Sequence, residues 1–136
     1  MIARRLLTFV AILAAAGCAR TTMTSPTPVA DTEALVREFT SLVIPGGSAS
    51  REFEVAAAGT IAVTLKSTTP AGVTVGLGVG IPRSNGSCAL SAAVETVAGT
   101  SAQLSISADS GAYCAKVYDV GTLTAPVPFT IAISRP

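Results

Sequence analysis

GAYCAKVYD, Gly111–Asp119, is the stretch from which the fold of this chain is read. A glycine turn leads into alternation, with Tyr113, Ala115 and Val117 in one phase and Cys114, Lys116 and Tyr118 in the other. A period of two puts successive side chains on opposite faces of a strand. Tyr113, Ala115 and Val117 are the expected core set, and Cys114 is expected to point away from them, towards Cys88. The stretch holds both tyrosines of the chain and one of its three cysteines.

Similar runs lie on either side. Downstream, 127–134 carries Phe129, Ile131 and Ile133 between Thr130, Ala132 and Ser134, with Pro126 and Pro128 confining its start to an edge or a non-bonding position. Upstream, Leu104 and Ile106 mark a strand over 101–107, and another covers 88–97. Over 72–81, Val73, Val75, Leu77, Val79 and Ile81 share one face, while Thr74, Gly76, Gly78 and Gly80 share the other. That glycine face predicts close approach of a neighbouring element, or a strand bent by bulges. PRSNGS, Pro82–Ser87, reads as a loop turning at Asn85-Gly86.

Residues 51–57 and 60–66 alternate as Phe53, Val55, Ala57 and Ile61, Val63, Leu65, and their spacing predicts a hairpin turning on Ala58-Gly59. Pro45-Gly46-Gly47 ends a strand over 37–44, for which Asp31–Leu42 offers a weaker helical alternative through Leu35, Phe39 and Leu42. Short strands at about 8–12-residue spacing indicate an all-β antiparallel sandwich or barrel, here with eight strands over 36–136.

The first 35 residues read differently. Arg4 and Arg5, an 11-residue segment Leu6–Ala16 that is apolar apart from Thr8, and Ala15-Ala16-Gly17 make a secretory leader over 1–17. Cys18 follows directly and resembles the lipidated cysteine of a bacterial lipobox, with Ala15 where Leu is usual; ordinary cleavage nearby is the alternative. Residues 18–35, rich in Thr, Ser, Pro and Ala, read as a tether. After residue 20 no apolar run approaches the ~18–20 residues of a spanning helix.

With Cys18 assigned to lipid, Cys88 and Cys114 are expected to pair in an oxidising compartment. In the chain-entropy description such a loop contributes on the order of 3 kcal/mol. A reactive thiol or a metal site is the alternative, and two cysteines in a chain without histidine make a poor zinc site. The absence of histidine also removes the Ser/His/Asp and Cys/His nucleophile systems. Without the leader, seven basic side chains stand against eight acidic ones with no basic patch, so nucleic acid is not an expected partner. Glu52 and Glu54 read as a solvated strand face. Glu95, Asp109 and Asp119 leave calcium open, though their spacing shows no convergence. No cofactor is otherwise expected.

From Phe53 onward the chain resembles the bacterial pre-peptidase C-terminal domain. FEVAAAGTIAVTL at Phe53–Leu65, GAYCAKVYD at Gly111–Asp119 and PFTIAISRP at Pro128–Pro136 carry the likeness. It implies a small β-sandwich of jelly-roll type outside the cytoplasm. Members usually sit beside a secreted catalytic domain, and the family's Asp-rich middle strand is replaced here by VTVGLGVG, so no ligand residues are carried over. The expected function is a non-catalytic, lipid-anchored module of the bacterial cell envelope, held to the membrane through Cys18. It would bind or scaffold an envelope protein or glycan, with Tyr118 and Asp119 as candidate binding residues. The alternatives are a purely structural envelope lipoprotein and an accessory domain of secreted peptidases.

Overall fold

A computed structural model describes residues Leu35–Pro136. The leader, residues 18–34 of the tether and the candidate lipid site at Cys18 lie outside the described residues, and Leu35, read as the tether's last residue, opens the first strand. Eight strands follow in order: β1 (Leu35–Val43), β2 (Ser48–Val55), β3 (Gly59–Thr68), β4 (Val75–Pro82), β5 (Cys88–Thr96), β6 (Leu104–Ala108), β7 (Gly111–Tyr118) and β8 (Val127–Arg135). The helical alternative gives way to β1 from Leu35 onward.

The strands form two antiparallel sheets, ordered β1-β8-β3-β6 and β2-β7-β4-β5. Strand 1 pairs with 8, 2 with 7, 3 with 6 and 4 with 5, which is the connectivity of a jelly roll. The hairpin expected between β2 and β3 does not form. β2 pairs with β7 and β3 with β6 and β8, so Ala56–Ala58 is an arch from one sheet to the other. Both strands carry a full apolar phase, and facing each other across the core buries both sets.

That core is Val43, Ile61, Val63, Leu65, Phe129, Ile131 and Ile133 from the first sheet, against Phe53, Val55, Val75, Leu77, Val79, Ala115 and Val117 from the second. Each fully buried Val, Leu, Ile or Phe contributes about 1.5–3 kcal/mol. Tyr113 packs against its edge, stacked on Phe53 at 6.2 Å, and its hydroxyl donates to the Asp109 carbonyl at 3.0 Å. Phe39 meets Phe129 edge-on at 5.8 Å. Ile81 departs from expectation: it shares the phase of Val79 but lies past the end of the core, 48% exposed.

Two turns follow from their residues. Ile44–Gly47 closes with the Gly47 N–H donating to the Ile44 carbonyl at 2.9 Å, with Pro45 second and Gly46 third at φ 71°. Proline followed by a positive-φ glycine is the type II pattern. In the β4–β5 loop the Asn85 side-chain oxygen accepts from the Ser87 N–H at 3.0 Å, and Gly86 takes the positive φ.

The glycine face of β4 is used as its sequence predicts. Gly76, Gly78 and Gly80 register with Tyr118, Lys116 and Cys114 of β7, on the outer face of the second sheet. The Tyr118 ring lies over Gly76, the Leu90 side chain over Gly78, and the Ala89 backbone over Gly80. Ser91 is an extra residue in β5, because Val79 registers with Ala92 and Gly80 with Leu90. This bulge lets the start of β5 rise over β4.

The rise brings Cys88 to Cys114. Strands two places apart in a flat sheet lie about 9–10 Å from each other. The Cys88 and Cys114 Cα atoms are 5.9 Å apart and disulfide-bonded, although β4 lies between their strands. The geometry also ranks the glycines. A methyl group on Gly80 would overlap the Ala89 backbone, whereas on Gly76 it would meet only the end of the Tyr118 side chain and on Gly78 chiefly that of Leu90. Gly80→Ala is therefore expected to cost about 2–3 kcal/mol and Gly76→Ala markedly less. Equilibrium denaturation of the two variants checks this, and equal costs would contradict it.

Candidate functional site

Tyr118 and Asp119 lie together at the end of β7, as the sequence requires, and the structure gives each a local task. Tyr118 covers Gly76 while the Lys116 ammonium stands 5.9 Å from its ring centroid. The Asp119 carboxylate gathers four backbone N–H groups. Oδ2 accepts from Gly46 at 2.7 Å, and Oδ1 accepts from Gly121 at 2.8 Å, Thr122 at 3.0 Å and Leu123 at 3.1 Å. Its own N–H donates to the Gly47 carbonyl at 3.0 Å. Asp119 thus ties the β1–β2 turn to the segment leaving β7.

The acids considered for catalysis or calcium are dispersed over different elements. Glu95 is on β5, Asp109 lines a hollow beside Ala58–Thr60, and Asp119 is engaged as described. Among the described residues no three Asp, Glu, Cys or His side chains gather as a metal-ligand group.

A different cavity is the best-formed concave site. It encloses about 610 Å³ where the edge strands of the two sheets, β1 and β2, face each other; the hollows at Asp109 and at Lys66 enclose about 460 and 270 Å³. Its apolar wall is Phe39, Phe53 and Ile133, and it carries Arg37, Arg51 and Arg135.

Register explains the composition. Arg37 sits opposite Ile133, Leu35 opposite Arg135, and Phe39 opposite Ile131, so all share the core-facing side of the first sheet. Arg51 sits opposite Ala115 and Phe53 opposite Tyr113, on the core-facing side of the second. Glu38, Glu52 and Glu54 occupy the intervening positions. Glu38 pairs with Lys66, and Glu52 and Glu54 register with Cys114 and Ala112 on the outer face. Three of the four arginines in the described residues thus line one open end of the sandwich, in the inward strand phase, while Glu38, Glu52 and Glu54 line it from the alternate phase.

The Arg51 guanidinium lies 5.5 Å from the centroid of the Phe39 ring. Arg135 Nε is buried and has no hydrogen-bond partner. Among the described residues none of these arginines forms an ion pair. Planar guanidinium groups in such a setting suit a carboxylate or phosphate, to which they bond in pairs. Counting charges along the sequence misses this cluster, because its members are spread over three strands. Its signal is phase: each arginine continues the apolar period of its strand, as in Arg51-Phe53-Val55 and Ile131-Ile133-Arg135.

The fold makes the chain a jelly-roll β-sandwich clasped by a disulfide across one sheet. Compared with known proteins, it matches no family model and no curated protein.

The Asp119 network has a pH consequence. The Gly46 N–H above all, then those of Leu123, Gly121 and Thr122, hold its carboxyl below the usual carboxylate value, against an opposing desolvation cost. A carboxyl depressed in the folded state adds stability above its unfolded value, near pH ~4, which is lost as pH falls through the folded value. Asp119→Asn keeps an acceptor for Gly121–Leu123 but turns an amide towards the Gly46 N–H. The variant is expected to be less stable than wild type at pH 7, with the gap closing in acid. Thermal unfolding across pH 2–7 measures it, and a gap independent of pH would contradict the assignment.

Proposed function

We propose that this protein is a lipid-anchored, extracytoplasmic sandwich module that binds or scaffolds an envelope component and does no chemistry of its own. The Cys88–Cys114 disulfide is the observation that carries the reading. Such bonds persist in oxidising compartments. This one is accommodated by the fold, since the glycine face of β4 and the bulge at Ser91 provide its path. The leader and Cys18 supply the route and the anchor, and residues 18–34 the tether that would hold the sandwich off a membrane surface. A lipid chain adds about 0.8 kcal/mol of membrane affinity per buried methylene, so several chains on one cysteine hold firmly.

A concave, apolar-walled cavity with convergent charged groups is the kind of feature through which a small module takes a ligand. The β1–β2 groove has that form, and its three arginines are suited to binding rather than to proton transfer, because a guanidinium stays protonated.

Anchoring is tested by replacing Cys18 with Ser and fractionating cells. The expected outcome is that wild type sediments with membranes and Cys18→Ser appears in the unbound extracytoplasmic fraction. Unchanged membrane association of the variant would overturn the reading.

A further inference from the structure

We propose that the groove between β1 and β2 is a binding site for a compact amphiphilic anion. Its carboxylate or phosphate is held by Arg37, Arg51 and Arg135, and its apolar body lies against Phe39, Phe53 and Ile133. This goes beyond the anchoring reading and fails independently of it, since fractionation reads Cys18 and ligand titration reads the three arginines.

Glu38, Glu52 and Glu54 also line the cavity, but in strand phase they alternate with the inward residues, and among the described residues none of them forms an ion pair with the three arginines. Arg135 Nε is the one side-chain donor among the described residues that is buried without a partner. A buried donor left unpaired is unfavourable, more so when it is charged, and an oxyanion reaching the Arg135 guanidinium would offset that cost. The apolar wall already carries a cation, since the Arg51 guanidinium lies 5.5 Å from the Phe39 ring centroid.

The volume of about 610 Å³ suits a small molecule. The rim selects further. Glu52 and Glu54 beside the mouth repel a ligand whose negative charge continues outside the groove. A single anionic head with an uncharged tail satisfies both the inside and the rim, whereas an extended polyanion does not.

The test is isothermal titration of the full chain with octyl phosphate, octanoate and octanol. Octyl phosphate and octanoate are expected to bind, octanol at least about tenfold more weakly, with anion affinity falling as salt is raised. Arg37→Gln, Arg51→Gln and Arg135→Gln are each expected to weaken octyl phosphate by roughly tenfold, and Arg135→Lys by less. Circular dichroism confirms that each variant is folded, and the comparison with octanol on wild type stands even if a variant is not. Competition by phosphatidylglycerol vesicles would identify a lipid headgroup as the source of the anion, and competition by free octanoate alone would identify a dispersed one. Equal binding of octanol and octyl phosphate, undiminished affinity in the arginine variants, or no binding of either anion would overturn the proposal.

Discussion

β4 presents no side chains on the outer face of its sheet between Gly76 and Gly80, and the second sheet is assembled around that gap. A residue with a Cβ at Gly80 would hold β5 at ordinary sheet spacing, out of reach of β7. With glycine there, the Ala89 backbone settles onto β4, Ser91 takes up the slack as a bulge, and Cys88 reaches Cys114 across the intervening strand. Tyr118 and Leu90 cover the rest of the row. The glycines would weaken an exposed strand, since each contributes no packing and loses more backbone entropy on folding. Here they exchange local propensity for a covalent clasp and a covered surface.

The clasp and the Asp119 network secure different parts of the same sheet. The disulfide joins β5 to β7 early in β7, and Asp119 joins the far end of β7 to the turn that leads from the first sheet into the second. β7 is therefore held at both ends and paired on both edges, with β2 on one side and β4 on the other. The Asp119 network holds β1 and β2 at the turn that joins them, and the groove opens between the two edge strands away from that turn. There the residues that continue their apolar phases are arginines instead of hydrocarbons.

The eight strands and their faces were legible in the sequence because each face is set by local alternation. The pairing of Cys88 with Cys114 was legible from compartment and count, and the glycine row announced a close approach. The neighbours of each strand were not legible. Ala56–Ala58 is long enough for a hairpin and equally for an arch between sheets, and alternation is the same in both. Asp119 stands in the sequence as an acid near a strand end, but its first partner, Gly46, is 73 residues away and no local pattern connects them. The arginine groove was hidden for a related reason. Net charge sums over phase, and only the phase of Arg37, Arg51 and Arg135 shows that they converge.

The central claim is that Gly80 matters because β5 is clasped over it, and a double-mutant cycle tests this most directly. The stability cost of Gly80→Ala is measured in the oxidised protein and again in a Cys88→Ala/Cys114→Ala background, where β5 is free to lift from β4. The predicted result is a smaller cost without the disulfide, with an interaction of about 1 kcal/mol or more between the two changes. The same cost in both backgrounds would contradict the account.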